Sequence, residues 1–238
     1  VRLRVVHDVT DLTEVKRAIT AELATPQPGW VSMLPAITIT DAADGYRIED
    51  IALWDDASVA NTSPLVSIGA ASALTIERCA MSNDQNNGVV VSFTAGSANL
   101  IVLESYLSGD GDVISCTDTS LTSLGVLARD TYLYSYDNWC VNIACGGGGE
   151  FRFYDCYNDG SGLGGYRIDG NISNTPLPVV DIVGGACYLD TTEDISLSDL
   201  TFARVQNIQL GGNGTTALKL DNVSGGIVSG VRIGDKLG

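Results

Sequence analysis

Short runs of alternating apolar and polar residues fill most of this chain, and turns rich in Gly, Asn and Asp separate them. In residues 99 to 115, NLIVLESYLSGDGDVIS, the alternation breaks at Gly109-Asp110-Gly111-Asp112 and resumes at Val113-Ile114. Successive side chains of an extended strand point to opposite faces, so the alternation predicts strands with one buried face. Gly and Asp adopt the turn conformations that bulky residues avoid. The stretch therefore predicts a strand, a tight turn and a second strand.

The alternating segments repeat along the chain. Residues 74–84, LTIERCAMSND, align without a gap with residues 100–110, LIVLESYLSGD, which places Asp84 on Asp110. A second pattern, in which Asp or Asn separates apolar pairs, recurs in YRIEDIAL (46–53), ISLSDLTF (195–202) and LKLDNVSG (218–225). One apolar residue after each break marks one repeat: Ile51, Leu74, Leu100, Leu124, Phe151, Val180, Leu200 and Val223. By subtraction, these markers are 23, 26, 24, 27, 29, 20 and 23 residues apart.

A period in the twenties, built of short strands and turns of variable length, predicts stacked coils whose strands pair with the coils above and below. Leucine-rich repeats would need a recurring L-x-x-L-x-L-x-x-N block, and an antiparallel sandwich gives no reason for whole coils to align. We therefore expect an all-β fold, a parallel β-helix of about eight coils over residues 40–238, after an N-terminal segment at 1–39. Coils about 4.8 Å apart would give a rod on the order of 38 Å long.

The ends of such a rod expose unpaired strand groups, which natural solenoids cover. Residues 11–24, DLTEVKRAITAELA, predict an amphipathic capping helix, in which Asp11 and Glu14 have capping-box spacing. Its apolar residues share one face at helical spacing: Leu12, Val15, Ile19 and Leu23. The alternative is a helix that docks on a partner particle. The last segment, VSGVRIGDKLG, has no cap, which indicates a partner, a trimer mate or a continuation.

Charge excludes several classes of partner. The 238 residues contain 13 Lys plus Arg and 29 Asp plus Glu, for a net charge of -16. A surface this acidic repels phosphate backbones and anionic lipid, so we expect no nucleic acid partner, whereas neutral glycans and cationic surfaces stay open. No apolar run approaches the roughly 20 residues that cross a bilayer, so we expect no membrane insertion.

The cysteines and histidine give no metal pattern. None of the six cysteines forms a CxxC pair, and the single histidine, His7, precedes the coils, so we expect no metal site and no cofactor. A chain of this length buries its own core, so small buried free thiols are favoured over a disulfide framework. Free thiols are typical of folding in a reducing cytoplasm.

Two groups of residues are candidates for a functional site. Aromatic residues in and after TYLYSYDNW could form a sugar-binding platform or a protein interface, or pack under a loop: Tyr132, Tyr134, Tyr136, Trp139, Tyr154 and Tyr157. Acidic residues cluster near the predicted corners: Asp84, Asp110, Asp112, Asp155 and Asp159. Calcium needs six to eight oxygen ligands and the calcium repeat G-G-x-G-x-D is absent, so turns are favoured over metal sites.

The coil pattern of residues 40–238 resembles the right-handed parallel β-helix proteins, which include pectin lyase-like polysaccharide enzymes and trimeric bacteriophage tailspike or capsid-decoration proteins. Polygalacturonase-like members carry Asn-Thr-Asp, Asp-Asp, Gly-His-Gly and Arg-Ile-Lys blocks. Here only RIE (47–49), RID (167–169) and the Asp55-Asp56 pair are similar. A lyase would need a base beside calcium-binding acids, a role open to Arg129 or Arg152. Tailspike glycosidases need only paired carboxylates about 5 to 9 Å apart.

The short chain and the missing catalytic blocks favour a structural virion protein. The resemblance implies a homotrimeric bacteriophage spike or capsid-decoration protein, folded in the host cytoplasm and exposed on the virion surface. Its partners would be other virion proteins and host surface polysaccharide. The alternatives are a polysaccharide-cleaving tailspike or pectin lyase-like enzyme, and a secreted β-helix adhesin, for which oxidised cysteines would be expected.

Overall fold

A computed structural model describes most of the coil region of this chain. The described residues are 4–5, 37–39, 45–55, 63–69, 72–84, 87–94, 97–117, 123–144, 148–170, 177–189, 193–212 and 215–234. The predicted helix at residues 11–24, His7, Asp56 and Cys145 lie outside these ranges. The described residues contain strands and turns but no helix, and thus no helix that could span a membrane.

The strands form three sheets. Sheet A contains β1 (Arg4–Val5), β4 (Ile51–Asp55), β7 (Ala80–Asn83), β10 (Tyr106–Gly109), β13 (Tyr132–Ser135), β16 (Tyr157–Gly160), β19 (Ala186–Leu189), β22 (Gln209–Gly211) and β25 (Arg232–Ile233). Sheet B contains β2 (Ile37–Ile39), β5 (Val66–Ile68), β8 (Val91–Phe93), β11 (Ile114–Cys116), β14 (Trp139–Ala144), β17 (Gly164–Asp169), β20 (Glu193–Leu200) and β23 (Thr216–Val223). Sheet C contains β3 (Tyr46–Glu49), β6 (Ser72–Glu77), β9 (Ser97–Leu103), β12 (Ser123–Arg129), β15 (Gly149–Tyr154), β18 (Val179–Val183), β21 (Phe202–Gln206) and β24 (Gly226–Ser229).

The chain is a parallel β-solenoid, as the sequence predicts. Each turn contributes one strand to sheet B, then to sheet C, then to sheet A, and neighbouring turns pair in parallel. The short strand β1 is the exception, because it pairs antiparallel with β4. The predicted count of eight coils is corrected to about six complete turns, which run from β5 to β22 and have a paired coil on both sides. A strand triad at each end, β2–β4 and β23–β25, has a parallel coil on one side only.

The corner between sheets C and A uses the same backbone conformation in every turn. Its corner residue has a positive φ, between 47° and 76°, in all eight positions: Asp50, Arg78, Glu104, Asp130, Asp155, Gly184, Asn207 and Gly230. The corner N–H donates to a carbonyl of the next turn, as from Asp130 to Tyr154 at 3.0 Å and from Asp155 to Val183 at 2.9 Å. The sheet hydrogen bonds therefore continue through the bend, and the seven corner amides from Asp50 to Asn207 are all paired.

Small polar side chains line the inner side of this corner. Ser105 Oγ donates to the Leu103 carbonyl at 2.7 Å, and Thr131 Oγ1 donates to the Arg129 carbonyl at 2.9 Å. Cys79 Sγ contacts the Glu77 carbonyl in the same way, at 3.2 Å. The stack of Ser, Thr and Cys is thus a column of core residues that also satisfies corner carbonyls.

The core consists of apolar columns that run along the solenoid. In sheet A the inward column is Leu53, Met81, Leu107, Leu133, Asn158, Cys187 and Leu210, all of them buried. Asn158 is the one amide in this column, and neither its Oδ1 nor its Nδ2 makes a hydrogen bond of good geometry, although the Tyr166 side chain lies within reach. The column therefore contains one buried amide whose desolvation is uncompensated.

The described cysteines are buried free thiols, which confirms the sequence prediction for these five: Cys79, Cys116, Cys140, Cys156 and Cys187. Burial raises the pKa of Cys79 to about 11 and that of Cys156 to about 12. Because the thiolate is the reactive form, these two thiols are expected to be chemically inert in the folded chain.

The two ends of the solenoid differ in burial. At the first triad, Leu53 and Ile39 are 1% and 5% exposed. At the last triad, the inward columns end in Leu220, Val228 and Ile233, which are 43%, 48% and 72% exposed. The edges of β23, β24 and β25 have no further strand beside them among the described residues.

Candidate functional site

The outward face of sheet A carries a group of tyrosines from neighbouring turns. Strands β10, β13 and β16 place Tyr106, Tyr132 and Tyr157 in one outward column. The parallel column two residues further along contains Tyr134, Asp159 and Tyr188. Together with Tyr136, which follows β13, these side chains form what we call the tyrosine surface: Tyr106, Tyr132, Tyr134, Tyr136, Tyr157 and Tyr188.

The rings of the tyrosine surface contact one another. Tyr106 stacks on Tyr132 with ring centroids 5.4 Å apart and an interplanar angle of 22°. Tyr134 and Tyr136 meet edge to face at 4.7 Å and 67°. Aromatic pairs favour these two geometries, and each ring restricts the rotamers of its neighbour. Tyr136 and Tyr157 are the most open members, at 43% and 51% exposure.

Asp159 supplies the carboxylate at the centre of the surface. Its Oδ2 accepts a hydrogen bond of 2.6 Å from the Tyr132 hydroxyl, and its Oδ1 accepts one of 2.8 Å from the Gly160 N–H. Burial raises the pKa of Tyr132, and this bond to Asp159 raises it further. The Tyr132 phenol therefore stays protonated and donates to the carboxylate, which fixes both side chains.

An acidic corner borders the tyrosine surface where sheet A turns toward sheet B. Asp84, Asp110 and Asp137 belong to three successive turns, since the Asp110 N–H donates to the Asn83 carbonyl and the Asp137 N–H to the Asp110 carbonyl, both at 3.1 Å. Burial raises the pKa of Asp110, and the nearby carboxylates of Asp84 and Asp137 raise it further. The corner therefore concentrates negative charge beside Tyr136. Burial raises the pKa of Tyr136, and Tyr134, Asp84 and Asp110 raise it further.

Asp110, Gly111 and Asp112 form a turn between β10 and β11, as the sequence predicts, and Gly109 is the last residue of β10. The single strand predicted before this turn is wrong, because the chain bends at Glu104 and forms two strands, β9 and β10. Asp112 accepts hydrogen bonds from Ser115 Oγ at 2.9 Å, Asn142 Nδ2 at 2.8 Å and the Trp139 N–H at 3.2 Å. Burial raises the pKa of Asp112, and these donors partly offset that effect. Its oxygens thus hold two turns together rather than pointing to a ligand.

Three of the sequence candidates lie away from the tyrosine surface. Trp139 is 7% exposed and belongs to sheet B, where its ring covers Gly164. Tyr154 belongs to sheet C, and its hydroxyl lies 3.5 Å from Asp181 Oδ2. Asp155 is a residue of the corner between sheets C and A, with a φ of 49°. The acidic candidates therefore occupy several different settings and do not form one cluster.

The sequence analysis missed three residues that the fold adds to this region. Tyr106 is register-paired with Tyr132, and Tyr188 with Asp159. The 29-residue marker spacing carries position 159 onto 188, so the signal for Tyr188 was present. The 24-residue spacing from Leu100 to Leu124 carries 106 onto 130, two residues short of Tyr132, so the pairing of Tyr106 with Tyr132 was hidden. Asp137 had no such signal, because it follows the strand in a turn.

The chemistry of the surface is that of aromatic rings and carboxylate acceptors. Within the described ranges, no group of three or more His, Cys, Asp and Glu side chains could hold a metal ion. Flat rings with hydroxyl tips bury apolar area and keep a polar contact, which suits sugar rings or a protein surface. Carboxylates beside them can accept hydrogen bonds from hydroxyl or ammonium donors.

Comparison with known proteins assigns no relative. No protein-family model matches the chain, and no curated protein and no solved structure matches it significantly.

Proposed function

We propose that this chain is a non-enzymatic, glycan-binding β-solenoid of a bacteriophage particle, which binds host surface polysaccharide through the tyrosine surface. The observation that carries the proposal is the pre-organised group of tyrosines around Asp159 on sheet A, in which Tyr106 is buried at 6% exposure and supports the exposed members. Tyr136 and Tyr157 offer exposed rings, and the Tyr132–Asp159 bond holds the polar centre in place. A site whose side chains are fixed before binding loses less entropy on binding.

The particle part of the proposal rests on the coil pattern and its resemblance to tailspike and capsid-decoration proteins. A stack of parallel turns presents the same outward positions again and again along one axis, which suits a polymer with repeating units. We propose a homotrimer as the displayed form. Sedimentation equilibrium is expected to give three times the mass of one chain, and a monomer at high concentration would contradict the trimer.

Binding to intact bacteria tests the glycan part. Fluorescently labelled protein is expected to bind a panel of bacterial cells and to lose that binding when periodate has oxidised their surface sugars. The double variant Tyr136→Ala/Tyr157→Ala should bind weakly, whereas Tyr154→Ala, which removes a tyrosine from sheet C, should bind like the original. Equal binding by both variants would refute the proposed surface.

A second candidate function is glycoside hydrolysis, which the acidic corner favours. Glycosidases use one carboxyl group that stays protonated as the acid and a second that is ionised. Asp110, whose pKa is raised, lies between Asp84 and Asp137 and beside the tyrosines. New reducing ends released from bound polysaccharide, and lost in Asp110→Asn, would favour the hydrolase. Binding without such release favours the non-enzymatic proposal.

A further inference from the structure

On the basis of the proposed glycan-binding function, we propose that the polysaccharide bound at the tyrosine surface is neutral or carries amino groups, and is not a polymer of uronic or sialic acids. Three features of the surface carry this proposal: its charges, the positions of the basic residues and the hydrogen-bond chemistry of its carboxylates.

The charged groups of the tyrosine surface and of the acidic corner are carboxylates. Asp159 lies at the centre, and Asp84, Asp110 and Asp137 line the adjoining corner. The outward positions of sheet A from β7 to β22 hold only Ala, Ser, Tyr, Asp, Gln and Gly. The nearest basic residue in these columns is Arg232, which lies two turns beyond Ala186. The distance across two turns is about one Debye length at physiological salt, so the charge of Arg232 is largely screened at the tyrosine surface.

The arginines of the middle turns lie on sheets B and C and not on sheet A. Arg167 lies on sheet B, where it interacts electrostatically with Asp112. Arg129 and Arg152 lie on sheet C and contact Asp130 at 3.5 Å and Glu150 at 2.6 Å. Arg204, also on sheet C, contacts Asp181 at 2.7 Å. A uronate bound at the tyrosine surface would therefore meet carboxylates with no cation of the described sheet A columns beside it, and like charges in proximity are repulsive.

The hydrogen-bond capacity of the surface matches donors on the ligand. Each oxygen of an ionised carboxylate has two acceptor sites, and the bonds from Tyr132 and Gly160 use one on each oxygen of Asp159. Sugar hydroxyl groups and amino groups donate to such acceptors, whereas a uronate carboxylate only accepts. The rings of Tyr136 and Tyr157 supply apolar contact for the faces of the same sugars.

Titration calorimetry with three oligosaccharides of equal length tests this inference: cello-oligosaccharide as the neutral probe, chitosan oligosaccharide as the cationic probe and oligogalacturonate as the anionic probe. We expect binding of the neutral or cationic probe, weakened roughly tenfold by Tyr157→Ala. The double variant Asp110→Asn/Asp137→Asn should weaken the cationic probe roughly three- to tenfold. Glu150→Gln, which removes an exposed acid on sheet C, is the matched control and should change neither.

The outcomes separate this inference from the function on which it rests. Binding of oligogalacturonate that Tyr157→Ala abolishes would overturn the charge argument and leave the glycan-binding surface in place. If Tyr157→Ala alters binding of none of the three probes, both the inference and the proposed function are overturned.

Discussion

Replacing the buried amide of Asn158 by Leu should stabilise the protein. Asn158 is fully buried in the inward column of sheet A, between Leu133 and Cys187, and neither side-chain polar atom makes a hydrogen bond of good geometry. An unsatisfied buried amide costs about 1–3 kcal/mol. Leu keeps the branching at Cγ, and its apolar burial stabilises the fold by about 1.5–3 kcal/mol. Overpacking by the larger side chain opposes this gain by about 1–3 kcal/mol.

We therefore expect Asn158→Leu to raise the free energy of unfolding by about 1–2 kcal/mol, or the melting temperature by about 3–6 °C. Urea titration followed by far-ultraviolet circular dichroism and by tryptophan fluorescence measures the change. The reverse exchange one turn away, Leu133→Asn, is the matched control. It loses apolar burial and creates an unpaired amide, so it should lower the free energy of unfolding by about 3–5 kcal/mol.

A double-mutant cycle with Tyr166 tests whether the Asn158 amide is unpaired. Tyr166 is fully buried and burial raises its pKa well above the ordinary value, while the Asn158 side chain lies close enough to act as a hydrogen-bond partner that lowers this pKa. If the amide is unpaired, Asn158→Leu and Tyr166→Phe should be additive to within about 0.5 kcal/mol. A destabilised Asn158→Leu variant, together with a coupling above about 1 kcal/mol to Tyr166→Phe, would refute it and identify a hydrogen bond between them.

Three further predictions test the corner, the repeat and the acidic corner. Glu104 is exposed with a φ of 47°, a left-handed conformation that Asn tolerates and β-branched residues avoid. In urea titration, Glu104→Asn should therefore raise the free energy of unfolding by about 0.5–1 kcal/mol, and Glu104→Val should lower it by about 1 kcal/mol or more. Deleting residues 106–131 joins Ser105 to Tyr132 in register, so the shortened solenoid should fold with a urea m-value lower by about a tenth (26/238). Deleting one more residue reverses the strand faces and should abolish cooperative unfolding. Because the pKa of Asp110 is raised on folding, its contribution to stability is present below its ordinary pKa and is lost as the pH rises through the folded value. The melting temperature of Asp110→Asn should therefore exceed that of the original chain by more at pH 7 than at pH 3.5. An equal difference at both pH values would contradict the raised pKa of Asp110.

The sequence predicts the strands and their stacking because both follow from local patterns. Alternation identifies the buried face of each strand, and the ungapped repeat places Asp84 and Asp110 in equivalent corners of neighbouring turns, as the register of β7 and β10 confirms. The markers Leu74, Leu100, Phe151 and Val180 fall in one column of sheet C, in which Val126 lies between Leu100 and Phe151.

The sequence does not predict which sheet a strand joins. The pattern with Asp or Asn between apolar pairs occurs in two different places, with positive φ in each: Asp50 lies between sheets C and A, whereas Asp199 and Asn222 are the next-to-last residues of the sheet B strands β20 and β23, just before the chain enters sheet C. Both places need a left-handed residue, so the same chemistry satisfies both. For this reason the markers Ile51, Leu200 and Val223 belong to other sheets, and Leu124 is two residues out of register.

The composition of the candidate site was predictable only in part. The alternation of Tyr132 and Tyr134 predicted a shared face, and the contact of Tyr134 with Tyr136 keeps Tyr136 beside them. The separation of Trp139 and Tyr154 from that face follows from a change of sheet within a few residues, which spacing alone does not reveal.

The orientation of the hydrogen bonds has a mechanical consequence. Because the bonds between turns, including those at the corner between sheets C and A, point along the solenoid axis, a force that pulls the two ends apart loads one turn at a time. The rod would then yield by peeling, with each step releasing about 26 residues and hence roughly 90 Å of extended chain. A solenoid of this kind would unfold stepwise under tension, one turn after another.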